Sequence, residues 1–257
     1  VYTPHVEDGV SIPCNVRFKV KFDVKGGPPQ GAMLKENIDP IRKSAETGDP
    51  RSQALYAYSL ENYPELGAEG DKSIRWYLKA AQAGIPEAQY KVANSLLGGY
   101  AVHKDEAKAL IWFDKAARAG NADARMALAN YHLRDMADAA AVARAAALLE
   151  SATAHRIDAR FYLLGLMASS PHPAIRNPRR ALDNADEWLA PFADNPIAYE
   201  IRAAAQAALG DFAAAQRSQA KAVGMAKKLG WNTNPQRERL AGYEASKDWT
   251  GDLFAFY

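Results

Sequence analysis

The feature that most constrains this chain is a self-similarity with a period of 36 residues. Ala80-Ala81-Gln82-Ala83-Gly84-Ile85-Pro86-Glu87-Ala88-Gln89-Tyr90 aligns with Ala116-Ala117-Arg118-Ala119-Gly120-Asn121-Ala122-Asp123-Ala124-Arg125-Met126 at that offset. The same spacing joins Gly48 to Gly84, Trp76 to Trp112, Tyr77 to Phe113, and Lys79-Ala80-Ala81 to Lys115-Ala116-Ala117. A unit of this length has room for two helices and their turns. One helix pair cannot hide its apolar side unaided, so such units must stack in a row.

The periodicity within a unit supplies the helices. Ile74, Tyr77, Leu78 and Ala81 fall at i, i+3, i+4 and i+7, one face of a helix over 73–83. Gly84 is placed to end it in a left-handed cap, and Pro86 sits where the next helix starts. That helix covers 87–97 with Val92, Ala93 and Leu96 inward, and Gly98-Gly99 breaks it. A further helix follows over 105–119. The first helix of each unit is called A here and the second B.

These residues resemble the Sel1-like repeat, which opens on A-x-x-G-x-x-x-A-Q-Y and closes on K-A-x-x-W-[YF]-x-K-A-A. Ala81, Gly84, Ala88, Gln89 and Tyr90 carry the opening; Lys108, Ala109, Trp112, Phe113, Lys115, Ala116 and Ala117 carry the closing. The match is specific over 44–124. It weakens over 153–166, where Ala159 follows Ala124 by 35 residues and Arg156 stands where a glycine is expected. The third helix B, 138–152, is nearly all alanine and lacks the tryptophan, yet keeps Ala152 in phase with Ala116.

The last part resembles a tetratricopeptide (TPR) unit, with Tyr199, Ala203, Gly210-Asp211-Phe212, Ala215 and Ala222 in the order of that motif. Ala203 and Ala215 let its two helices touch, and Phe212 anchors the turn. Leu229-Gly230-Trp231 replaces the usual closing proline. A solvating end helix is expected over 236–245, and Leu253, Phe254, Phe256 and Tyr257 are expected to fold back on the array.

The N-terminus follows another period. Ile12, Cys14, Val16, Phe18, Val20, Phe22 and Val24 alternate with Pro13, Asn15, Arg17, Lys19, Lys21 and Asp23, the pattern of a long half-buried strand. Residues 1–6 are its expected hairpin partner, through a turn at Glu7-Asp8-Gly9. Tyr2-x-Pro4, Asp8-Gly9 and the alternating strand resemble the end of a TonB-type C-terminal domain, which implies a missing upstream helix and strand and a periplasmic setting. Beginning at Val1 in mid-pattern, the chain reads as a piece of a longer product. Seven apolar side chains on one strand face need a cover: the upstream segment, the helices, or a second chain through strand pairing.

The expected fold is therefore mainly α, an α-α superhelix of the Sel1/TPR-like solenoid kind preceded by a short β-hairpin. The expected segments are the hairpin over 1–25, a Gly/Pro-rich linker over 26–37, Sel1-like repeats over 38–193, and a TPR-like unit with capping helix and tail over 194–257.

Composition narrows the function. A net charge of +2 with 24% charged residues gives no nucleic-acid footprint. No apolar run reaches the ~18 residues of a membrane span, so membrane attachment would have to come from an upstream anchor. The five histidines (His5, His103, His132, His155 and His172) are scattered without His-Glu-x-x-His or Cys/His spacing, so no metal and no cofactor are expected. Gly98-Gly99 lacks the Gly-Lys-Ser/Thr of a phosphate loop. Cys14, the single cysteine, falls on the strand's apolar face as a packing residue.

No catalytic constellation emerges, and the chain reads as a non-enzymatic adaptor for a protein or peptide. The alternative is the regulatory, repeat-bearing part of an enzyme whose catalytic domain lies upstream. Register on helix A singles out Tyr58, Asn94 and Asn130, each 36 residues apart; Tyr90 and Met126 lie four residues earlier on the same face, and Arg134 four residues after Asn130. Tyrosine, asparagine and arginine grip peptide backbone and carboxylates. A homodimer through the N-terminal strand and a periplasmic location, with the cytoplasm as the alternative, complete the expectations.

Overall fold

The computed structural model describes residues 6–7, 10–11, 34–62 and 70–254, with side chains from 38–62 and 73–254. Its described residues form twelve α-helices: α1 (Leu34–Glu46), α2 (Pro50–Asn62), α3 (Gly70–Gln82), α4 (Pro86–Gly98), α5 (Glu106–Arg118), α6 (Ala122–His132), α7 (Ala139–Ala152), α8 (Ile157–Ser169), α9 (Pro178–Trp188), α10 (Pro196–Ala208), α11 (Phe212–Lys228) and α12 (Asn234–Glu244). A short 3-10 turn spans Ala190–Phe192. Two two-residue strands, β1 (Val6–Glu7) and β2 (Val10–Ser11), pair antiparallel with Val6 opposite Ser11. The long strand expected over 12–24 and residues 26–33 of the linker expected over 26–37 lie outside the described residues; the last four residues of that expected linker belong instead to α1, which begins at Leu34. Among the described residues no helix is long and apolar enough to cross a membrane.

The described helices divide into two compact units, one ending at Leu128 and the other beginning at Ala129. In the first unit α1 to α5 pack each on the next, and the A–B pairs α2/α3 and α4/α5 make the most extensive contacts. Ala57, Ile74, Tyr77, Ala80, Ala81, Ala88 and Val92 form a core cluster there, with Trp76 and Trp112 half-buried against it. In the second unit α7 to α12 follow the same plan. Here α10 also packs on both α8 and α9, so contact continues across position 193. Ala203, Ala207, Ala215 and Tyr243 cluster between α10, α11 and α12, with Phe212 and Trp249 at the margin. Small side chains at Ala203 and Ala215, both fully buried, allow the close approach of α10 and α11.

The repeat period is written in the turns. Gly48, Gly84 and Gly120 adopt φ of 102°, 95° and 97°, the left-handed region where a Cβ is penalised. Each turn closes with the same pair of bonds. The Gly84 and Ile85 amides donate to the Ala81 and Ala80 carbonyls, and the Gly120 and Asn121 amides donate to those of Ala117 and Ala116. A side-chain bond recurs beside them. Gln53 Nε2 donates to the Ala45 carbonyl, Gln89 Nε2 to that of Ala81, and Arg125 Nε to that of Ala117, so helix A of one unit caps helix B of the previous one.

The slip from 36 to 35 residues has a structural cause. Where Arg156 replaces glycine, no left-handed residue is available; the amides of His155 and Arg156 both turn back to the Ala152 carbonyl. α8 therefore starts at Ile157, one residue earlier than the period predicts. Its cap survives in altered form, Arg160 Nε donating to the Thr153 carbonyl.

Candidate functional site

The helix A positions singled out by register are distributed over both units. On α2, Tyr58 is 50% exposed. On α4, Tyr90 and Asn94 are half-buried, and the Tyr90 ring packs at a tilt on Phe113, centroids 5.8 Å apart. On α6, Met126 is only 5% exposed and belongs to the core rather than to the surface. These four lie in the first unit. Asn130, half-buried near the end of α6, and Arg134 lie in the second. Arg134 falls beyond the end of α6, in the turn, where its guanidinium stands 5.0 Å over the Tyr131 ring. The shortness of α6 puts it there: no helical turn remains at position 134 to hold it on the A face.

Polar contacts that carry no repeat signal brace the first unit. Glu61 accepts from the Tyr77 hydroxyl at 2.8 Å and from Lys91 Nζ at 2.8 and 3.0 Å, tying α2 to α3 and α4. Burial and the bond to Glu61 push the Tyr77 hydroxyl well above its ordinary pKa, so it remains a neutral donor. Sequence reasoning missed this trio because neither Glu61 nor Lys91 recurs at the period. Two contacts that do recur are Lys79 over Trp76 (4.2 Å) and Lys115 over Trp112 (4.4 Å), an i, i+3 cation–π pair in successive helices B. They explain why the closing motif couples lysine to tryptophan.

The fourth helix A, α8, presents a different surface. After the one-residue slip, the position equivalent to Asn130 is Gly165 and that equivalent to Arg134 is Ser169. Residues 251–254 lie along this face. The Gly251 amide donates to the Ser169 carbonyl at 2.8 Å, and Ser169 Oγ lies 2.8 Å from the Gly251 carbonyl and 2.9 Å from that of Gly165. Leu253 is 2% exposed. The Phe254 ring stacks at a tilt on Tyr162, centroids 4.7 Å apart, and covers Gly165, where a Cβ would come within 2.4 Å of the ring. Burial, with Asp252 and Asp158 nearby, pushes the Tyr162 hydroxyl up to about 12. Arg176 holds the approach of this segment through Asp248 at 2.5 Å. The expectation that the tail folds back thus holds for Leu253 and Phe254; Phe256 and Tyr257 lie outside the described residues.

No described group of three or more His, Cys, Asp or Glu side chains is arranged to hold a metal ion. The deepest charged pair is Glu200 on α10 with Arg239 on α12, each side chain 1% exposed. Gln236 Nε2 donates to Glu200 at 3.3 Å, and Gln219 Nε2 to the Gln236 carbonyl at 3.0 Å. Burial drives the Glu200 carboxyl upward against the opposing pull of Arg239. This cluster joins α10, α11 and α12 and is a brace rather than an open site.

No family model matches the chain, and no curated protein does. Solved structures do resemble it. One is the crystal structure of a Sel1 repeat protein from Oxalobacter formigenes, 26% identical over 49% of this chain and 95% of that one, with a TM-score of 0.43. Another is c5321, a protective antigen present in uropathogenic Escherichia coli strains and displaying an SLR fold. It is 17% identical over 85% of this chain and 54% of that one, with a TM-score of 0.49.

Proposed function

We propose that this chain is a non-enzymatic interaction scaffold that binds an extended peptide of a partner protein on its helix A faces. The observation that carries this reading is the exposure of Tyr58 on α2, with Tyr90 and Asn94 half-buried at the related register positions of α4. A half-exposed tyrosine offers a rigid ring and a hydroxyl at low entropic cost, and an asparagine offers both a donor and an acceptor to a peptide backbone. The setting belongs to the same proposal: a bacterial envelope protein acting in the periplasm, with the alternating N-terminal segment as a TonB-like docking or dimerising strand.

The test is a quantitative pull-down of envelope proteins with the intact chain and with a Tyr58→Ala/Asn94→Ala variant. Loss of two anchoring side chains of ~1–2 kcal/mol each weakens a specific partner at least tenfold. Equal retention of every bound protein by the variant would sink the proposal.

A further inference from the structure

The tail segment on α8 meets the helix A face as a peptide ligand would. Gly251 meets Ser169 through both of its own backbone groups: its amide donates to the Ser169 carbonyl, and its carbonyl lies against the Ser169 side-chain hydroxyl. Such contacts use backbone groups of the tail alone, and Gly251 takes a φ of 144°, a conformation that a side chain would strain. Specificity then comes from two side chains. Leu253 is buried, and Phe254 fills the notch that the missing Cβ of Gly165 leaves beside Tyr162. On the other helices A the equivalent register position carries Tyr58, Asn94 or Asn130. The glycine at 165 is the residue that admits the ring.

We propose that the α8 face is a peptide-binding surface whose resting occupant is the chain's own residues 251–254. A partner segment of glycine, an acidic residue, leucine and an aromatic, turning at its last two positions as residues 253–254 do, displaces them. The inference rests on the reading of helix A faces as peptide-binding surfaces, but it concerns a different helix and a different ligand from the Tyr58/Asn94 test. The partner's chemistry is fixed by what the face already holds. A tethered occupant competes at an effective concentration of about millimolar, so it hides the site from an untethered peptide of micromolar affinity.

The experiment uses the full chain and a fluorescein-labelled peptide with the sequence of residues 247–257, read by fluorescence anisotropy. Leu253→Ser/Phe254→Ser in the chain weakens the resident tail and leaves α8 intact. This variant is expected to bind the peptide at least tenfold more tightly than the unsubstituted chain, and adding Gly165→Leu is expected to abolish that binding. Equal binding by the variant and the unsubstituted chain would overturn the proposal, as would a helical variant that binds no peptide. Loss of helical circular dichroism in the variant would also overturn it, because the tail would then be core and not a plug. Formation of dimers between substituted and unsubstituted chains, seen by sedimentation velocity, would replace the external partner by tail exchange between copies. Failure here with an intact Tyr58/Asn94 effect would remove only the α8 site.

Discussion

At the scale of single residues, the most consequential pair is Glu200 and Arg239. Both side chains are removed from water, and Gln236 adds a bond to the carboxylate. Removing one partner of a buried pair strands the other charge, which costs far more than the pair contributes. Arg239→Met is therefore expected to destabilise the chain by about 3–5 kcal/mol in urea denaturation. Glu200→Gln added to Arg239→Met recovers more than half of that loss, because it discharges the orphaned carboxylate and keeps an acceptor for Gln236. If the double variant is no more stable than Arg239→Met, packing rather than charge governs this position. Neither residue stood out in the sequence, where Glu200 is one acidic residue among many on helices; only the docking of α12 on α11 and α10 encloses it.

At the scale of elements, glycine placement separates turns from helix interiors. Gly84 closes α3 at positive φ, and nothing surrounds its would-be Cβ. The cost of Gly84→Ala is thus purely conformational, ~1–2 kcal/mol. Gly224 lies inside α11, also with nothing near its would-be Cβ, and there alanine relieves a poor helix former. Gly224→Ala is expected to stabilise by ~0.5–1 kcal/mol. Thermal melts of the two variants should move in opposite directions, and a shift of the same sign in both would contradict the assignment of the turn. The same logic explains the altered spacing before α8. Without a left-handed residue at 156 the helix begins early, and every A-face position after it shifts by one.

At the scale of the whole molecule, the substantial helix contacts within each unit join helices one or two places apart in the chain. Stability in such an array is a sum of local terms and nearest-neighbour interfaces rather than one shared core. Arg239→Met should accordingly loosen α10 to α12 and leave α3 to α5 almost untouched. Hydrogen exchange followed by mass spectrometry reads this directly: protection is expected to fall in 196–244 and to stay within twofold over 73–118. A uniform loss across both stretches would show a single cooperative fold instead.

The sequence by itself determined the helix pairs, their period and their turns, because helical periodicity, left-handed glycines and prolines at helix starts act over a few residues. It also marked Ala203 and Ala215 as close-contact positions and the tail as returning to the array. Tertiary structure decided the rest. It buried Met126, left Tyr58 in solvent, carried Arg134 past the end of α6, and joined Glu61 to Tyr77 and Lys91. It also laid Phe254 over Gly165, 89 residues earlier in the chain. A contact over that distance depends on where stacked helices bring two surfaces together, and no local pattern encodes it.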